Sequence, residues 1–278
     1  MLKPVVKWAG GKRQLLSEIH SRLPQMNWNQ ASYFEPFIGG AALLFNIAPE
    51  RAVINDVNPE LINLYRTIKQ QPDQLIEALR IHRNEESYYY EVRAWDRDAE
   101  AYVQLSPVER AARLIFLNRT CYNGLYRVNA SGQFNVPFGK YKQPDIVQEE
   151  TIRDISAYFN RTDIRITEGD FNAAVNGAQA GDFVYFDPPY DVLTKTAAFT
   201  SYAKEGFGRE EQRRLAEVFR DLSDRGVYVM LSNHATDFIL ELYADFHIHI
   251  VQARRNINSK ASARGNVDEV LVLNYELH

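Results

Sequence analysis

The chain has 278 residues, 45% of them apolar and 24% charged, which is enough material for one large core and a smaller appended lobe. No apolar run approaches the roughly 20 residues a membrane span requires. Met1 to Lys12 carries lysines, Trp8 and paired glycines instead of a signal-peptide core, so a cytoplasmic protein without a membrane partner is expected. The single cysteine, Cys121, excludes an internal disulfide and a Cys-rich metal site, and neither a metal nor an obligate protein partner is anticipated. The formal net charge of -4 counts mildly against a polyanionic partner, yet the distribution is uneven. Arg110, Arg113, Arg119, Arg127, Lys140 and Lys142 follow one another with no Asp or Glu between them. Shorter acid-free spans hold Lys3, Lys7, Lys12 and Arg13, and Arg254, Arg255, Lys260 and Arg264.

In chain order, short apolar runs predict buried strands over 33–37, 52–55, 164–167, 183–186, 227–231, 248–253 and 269–275. Helical spacing over 41–46, 60–69 and 210–225 falls between several of them, and strand-helix-strand alternation implies an α/β fold with a mostly parallel sheet. The polar segment 256–268 contains no helical pattern, so the last two strands are expected to pair as an antiparallel edge hairpin. From Ile62 to Pro144 no buried strand is predicted. Helices over 73–83, 87–101 and 107–117 lead into a turn-rich region with a β-hairpin, 126–129 and 133–136, around Ala130, Ser131 and Gly132. This reads as a lobe over 61–144, inserted between 1–60 and 145–278.

The strongest local signal is Asp187-Pro188-Pro189-Tyr190, directly after an apolar strand and therefore at the carboxyl edge of the sheet, where ligands bind. The prolines stiffen the turn and present a carboxylate, a carbonyl and a ring to one pocket. Such a set suits a planar base with an exocyclic amine: Asp187 and the Pro188 carbonyl accept the amine hydrogens while Tyr190 stacks on the base. Two acceptors favour rehybridisation of the amine and stabilise the positive charge that develops as it attacks a methyl carbon. An ordinary strand-ending turn is the bland alternative.

Glu35-Pro36-Phe37-Ile38-Gly39-Gly40-Ala41, with Asp56 ending the next strand, has the geometry of a nucleotide fold but lacks the full G-x-G-x-x-G, which weakens a dinucleotide and leaves a smaller nucleoside such as S-adenosylmethionine. Glu168-Gly169-Asp170-Phe171 ends the third strand with an acid and an aromatic suited to an adenine. Lys7-Trp8-Ala9-Gly10-Gly11-Lys12 is not a P-loop, because the spacer and the hydroxyl residue after the lysine are missing. Cys121 has no nearby activating pattern and is not expected to be a nucleophile, and His234 is assigned a structural or pocket-lining place.

The order of these motifs, together with Asn118-Arg119, Tyr122-Asn123-Gly124-Leu125 and Phe134-Asn135-Val136-Pro137-Phe138-Gly139, resembles the Dam-type (D12 class) DNA adenine-N6 methyltransferases over essentially the whole chain. The resemblance implies a Rossmann-like seven-stranded S-adenosyl-L-methionine-dependent methyltransferase sheet with a reversed last strand and an inserted helical and β-hairpin DNA-recognition lobe. It implies Asp187, Pro188, Pro189 and Tyr190 as the catalytic residues. Trp8, Lys12, Asp56 and Asp187 would bind the cofactor, with Gly10, Gly11, Glu35, Phe37, Asp170 and Phe171 beside them. Double-stranded DNA would be the partner and GATC the target. Arg127 would read guanine through its fork to O6 and N7, and Tyr122 and Asn123 would lie near the displaced base. Lys7, Lys140 and the loop from Arg254 to Arg264 would grip phosphates, and Arg119, Leu125 and Pro137 would also face DNA. An adenine buried in a stacked duplex cannot reach Asp187, so base flipping is expected. An RNA or N4-cytosine methyltransferase, a nucleic-acid-binding regulator that keeps only the fold, and a nicotinamide oxidoreductase remain the competing readings of the residues alone. The same chemistry serves restriction-modification pairs, phages and host regulation, which differ in neighbours rather than in this chain.

Overall fold

The computed structural model describes residues 2–8, 15–28, 30–192, 207–254 and 266–277, with the backbone alone at 253, 254, 266 and 267. Gly10, Gly11, Lys12, Arg13, Arg255, Lys260 and Arg264 lie outside the described residues, as does the side chain of Arg254.

The strands are β1 (Tyr33–Glu35), β2 (Arg51–Asp56), β3 (Asp163–Glu168), β4 (Phe183–Phe186), β5 (Tyr228–His234), β6 (His247–Arg254) and β7 (Asn266–Leu273). They form one seven-stranded sheet in the order β3-β2-β1-β4-β5-β7-β6. β1 runs parallel to β2 and β4, and β4 parallel to β5. β7 is antiparallel to both β5 and β6, so the expected antiparallel pair is present and its second strand is the one inserted into the sheet. Every strand read from the sequence appears, displaced at its ends by a few residues. β4 is buried at every position, Phe183 to Phe186, because a parallel strand covered on both faces has no solvent side and shows a continuous apolar run instead of alternation.

By backbone proximity the chain divides into two compact units: Met1–Gly11, Gly39–Ala48 and Asp56–Glu168, and Lys12–Ile38, Pro49–Asn55 and Gly169–His278. In the first, helix Pro59–Gln70 begins with Asn58 accepting from the Glu60 and Leu61 amides and Pro59 in the first turn. Helix Pro107–Thr120 begins with a Ser106/Glu109 capping box. The helix predicted over 87–101 is broken in two, Glu86–Ala94 and Ala99–Gln104, because Asp98 takes an extended conformation and caps the second piece through the Ala101 amide. Helix Glu149–Arg161 was not anticipated, although Ile152, Ile155 and Phe159 carry its buried face. The predicted β-hairpin is present in shortened form, as one antiparallel bridge, Val128 to Phe134, in which the Asn129 amide donates to the Gln133 carbonyl and the Asn135 amide to the Arg127 carbonyl. The Asn129 side chain also accepts from the Ser131 and Gln133 amides and closes the turn. An aromatic cluster of Tyr89, Phe116, Phe134 and their neighbours forms this region's own core.

In the second unit the core is built from Phe34, Val184, Phe186, Leu231, Val270 and Val272 of the sheet with Leu215, Phe219 and Leu222 of helix Arg209–Asp224. No helix among the described residues is long and apolar enough to cross a membrane.

One half-buried group makes the first unit sensitive to acid. The His82 ring lies flat on Phe116, centroids 4.5 Å apart, and burial lowers its pKa from 6.5 to about 4. The unfolded chain therefore takes up this proton first as pH falls, and stability is lost between about pH 6.5 and 4. Denaturant unfolding at pH 7 and pH 4.5 is expected to show wild type losing up to about 2 to 3 kcal/mol more than His82→Leu. Equal losses in the two proteins would remove this account.

Candidate active site

The second unit holds the Asp-Pro-Pro-Tyr turn. Since β1 and β4 are parallel and in register, Tyr33 opposite Phe183, the residues following both strands emerge at one carboxyl edge. Asp187 accepts a hydrogen bond from Ser232 Oγ at 3.1 Å, and the same oxygen lies 2.9 Å from the Tyr185 hydroxyl. Pro188 is buried and Pro189 exposed. The Pro189 carbonyl accepts from Gln212 Nε2 at 2.8 Å, whereas no donor among the described residues reaches the Pro188 carbonyl. Tyr190 donates to Glu269 Oε2 at 3.1 Å and meets the His234 ring edge-on, centroids 4.8 Å apart. Burial pushes the Tyr185 and Tyr190 hydroxyls well above the usual phenol range, so each is a neutral donor. His234 holds the Asp191 carbonyl through Nδ1 at 2.5 Å, which is a structural place.

Along the same edge Glu35 is buried and accepts from the Tyr33 hydroxyl at 2.7 Å. Asn55 Nδ2 bridges the Pro36 and Gly169 carbonyls, 3.0 and 2.9 Å, and ties the loop after β1 to the segment after β3. Phe37 packs on Phe171, centroids 5.4 Å apart, and edge-on to Phe207. Phe171 is 4% exposed, with the Arg214 guanidinium 4.2 Å above its ring. Asp170 forms a two-pronged pair with the same arginine, whose hydrogen bonds hold its carboxyl below the usual range. Asp170 and Phe171 thus share Arg214 as a common partner.

In the first unit Trp8 stacks on Tyr126, centroids 4.6 Å apart and planes 21° apart. Gly39, at φ +46°, lies against the same indole. Asp56 accepts from the Gly39 amide at 3.1 Å and the Asn58 amide at 3.0 Å; burial raises its pKa, and the backbone bonds oppose that rise. A carboxylate offers about four lone-pair sites, so two amides leave acceptor capacity for a hydroxyl pair. Asn118, fully buried, pairs with both the amide and the carbonyl of Lys7 and also donates to the Gly124 carbonyl.

The residues expected to face DNA gather around the loop after helix Pro107–Thr120. Tyr122, Asn123, Arg127, Pro137 and Lys140 are exposed, while Leu125 is half-buried on the aromatic cluster. Arg127 Nε donates to Asn135 Oδ1 at 2.6 Å. Arg119 and Lys7 line an open cleft of about 290 Å³ with Lys142 and Tyr141. Cys121 is buried, and burial pushes its thiol up to about 12, so it is protonated at neutral pH and is no nucleophile.

Residues 8–257 match the family described as D12 class N6 adenine-specific DNA methyltransferase. The chain belongs to this family. It is 52% identical to the type II methyltransferase M1.LlaDCHI of Lactococcus lactis subsp. cremoris, over 99% of this chain and 96% of that protein. It is 42% identical to the type II methyltransferase M.MjaIII of Methanocaldococcus jannaschii, with 99% of both covered. It is 36% identical to the DNA adenine methylase of Escherichia coli K12, over 96% of this chain and 94% of that protein. The enzyme is an adenine-specific DNA methyltransferase.

Ser232, Asn233, Gln212, Asp191 and Arg214 were not singled out as functional in the sequence. The available signal was polar residues in apolar settings: Ser232 and Asn233 prolong an apolar strand, and Gln212 lies on the buried face of an amphipathic helix.

The packing of Trp8 on Gly39 is testable. An alanine Cβ at 39 would lie 2.9 Å from Trp8 Cδ1 on a left-handed backbone. Gly39→Ala is expected to lose about 1 to 2 kcal/mol in denaturant unfolding, and less in a Trp8→Ala background. The same loss in both backgrounds would show that the indole is not what excludes the side chain.

Proposed function

We propose that the enzyme transfers methyl from S-adenosyl-L-methionine to adenine N6 within GATC in duplex DNA, after rotating the base out of the helix. The acceptor turn carries this reading: a carboxylate held by Ser232, a Pro188 carbonyl without a donor among the described residues, and a ring held at its hydroxyl by Glu269 and packed T-shaped with His234. Asp187 and the Pro188 carbonyl accept the two N6 hydrogens, which draws the lone pair out of the ring and stabilises the ammonium-like charge as the new N–C bond forms. Tyr190 offers the stacking face that offsets the few kcal/mol spent on unstacking. The N6 proton leaves after transfer, and no strong base is needed.

S-adenosylmethionine, when bound, supplies a methyl already activated on a sulfonium. The residues present fit that group: Asp56 retains acceptor capacity for a ribose hydroxyl pair, Trp8 and Phe37 supply aromatic surface, and Gly39 and Gly40 permit close backbone approach. Glu35, Asp170 and Phe171 complete the proposed set, with Gly10, Gly11 and Lys12 added by resemblance. No metal is required by this chemistry.

Residues 61–144 are proposed as the recognition lobe, and 1–60 with 145–278 as the catalytic part. The exposed Arg127, steadied by Asn135, supports guanine reading, with Tyr122, Asn123, Leu125 and Pro137 near the displaced base and Lys7, Arg119 and Lys140 on the backbone. The relatives named type II methyltransferases support a place in a restriction-modification system. A cytoplasmic location follows from the DNA substrate.

The test is transfer of labelled methyl to duplexes with and without GATC, with digestion to nucleosides. N6-methyladenine confined to the GATC duplex, and a loss of at least about 100-fold in Asp187→Ala, are expected. Label in a duplex without GATC would reject the target, and full activity of the variant would reject the turn. For the flipping step, 2-aminopurine at the target position is expected to brighten on binding, and an unchanged signal would count against extrusion.

A further inference from the structure

Of the two proline carbonyls in the turn, that of Pro189 is already engaged by a side chain, which leaves that of Pro188 for the amine. Gln212 donates from Nε2 to the Pro189 carbonyl at 2.8 Å, and its Oε1 accepts from Asn233 Nδ2 at 3.1 Å. Asn233 in turn uses its Oδ1 to accept from the Asp191 amide at 2.9 Å, immediately beyond the turn, and from the His234 amide at 2.8 Å. Gln212 is 1% exposed and Asn233 is fully buried, so each amide is removed from water and committed to these partners. The Asp191 carboxylate, also buried, is held by Thr236 Oγ1 at 2.7 Å and by Arg209 Nε and Nη2 at 3.3 Å each. The turn is thus gripped at Pro189 and Asp191, on either side of Tyr190.

We infer that Gln212, seated by Asn233, is a positioning residue that selects the acceptor of the turn: by engaging the Pro189 carbonyl it fixes the orientation in which the Pro188 carbonyl is offered to the adenine amine. This inference rests on the proposed role of the turn. A buried primary amide suits the task because it presents a donor to one partner and an acceptor to the other in a single plane. Loss of the donor removes the Pro189 carbonyl's partner and frees the turn to rotate. A displacement of about 1 Å at a reacting group is worth on the order of 100-fold in rate, whereas substrate and cofactor held by other residues bind as before.

Single-turnover methyl transfer on a GATC duplex with Gln212→Met, of similar length but without the donor, is expected to fall roughly 10-fold or more, with S-adenosylmethionine and DNA dissociation constants within about twofold of wild type. An unchanged rate, or binding weakened as much as the rate, would overturn the inference. Gln212→Glu covers the case in which the Met variant does not fold. It keeps the acceptor for Asn233 and donates to Pro189 only while protonated, so its rate relative to wild type is expected to fall as pH rises; a pH-independent ratio would overturn the inference. Asp187→Ala, measured in parallel, tests the underlying reading: if that variant retains transfer, it is the role of the turn that fails, whatever Gln212 does.

Discussion

A carboxylate set at the end of a strand buried on both faces needs side-chain donors beside it, and this constraint governs the proposed catalytic edge. β4 carries no solvent-facing position, and Asp187 emerges half-buried directly after it, where neighbouring side chains supply part of its hydrogen bonding. Neighbouring β5 supplies them in sequence order: Ser232 to Asp187, Asn233 to the Asp191 amide, His234 to the Asp191 carbonyl. Ser232 and Asn233 are fully buried, which makes the network costly when incomplete and rigid when complete. Rigidity is what the chemistry asks for, since the acceptors act only if they already stand where the developing charge will be.

A different solution to close approach operates in the first unit. Gly39 lets the backbone meet the Trp8 indole, Gly124 lets it meet the Lys7 side chain, and Asn118 clasps the Lys7 peptide by its amide and carbonyl. A motif that looks in sequence like a string of cofactor and DNA residues is therefore partly a packing arrangement. Trp8 is fixed by a glycine and an aromatic ring, Lys7 by an asparagine more than a hundred positions away.

Much of this was legible because the signals were local. Continuous apolar runs gave all seven strands, and the polar stretch before β7 announced its antiparallel pairing. The Asp-Pro-Pro-Tyr turn was recognisable because its proposed role and its backbone stiffness come from the same four residues. The clamp around it was not, because Gln212 and Pro189 lie 23 positions apart and Asp187 and Ser232 lie 45 apart. A lone glutamine on a helix has no periodic signature that separates a buried partner from a solvated one. The predicted hairpin is shorter than read for a related reason: Gly132 marks the turn and the Val128–Phe134 bridge forms, but the Asn129 side chain also takes the Ser131 and Gln133 amides, and composition does not reveal that share.

The charge pattern needs the same correction from sequence to space. The acid-free span from Arg110 to Lys142 looks like a continuous basic surface, but acids from elsewhere in the chain enter it. Arg110 is paired with Glu60, and Arg113, 5% exposed, is paired with Asp96 at 2.8 Å while also donating to the Val92 and Arg93 carbonyls. These two arginines hold helices together and have no charge to spare for phosphate. What remains at the solvent end of the span is Arg127, Lys140 and Lys142, with Arg119 and Lys7 in the adjoining cleft. An acidic chain can therefore keep exposed basic residues near one cleft while the arginines nearest the core are neutralised internally, and Asp145 lines that cleft beside Lys7, Arg119 and Lys142.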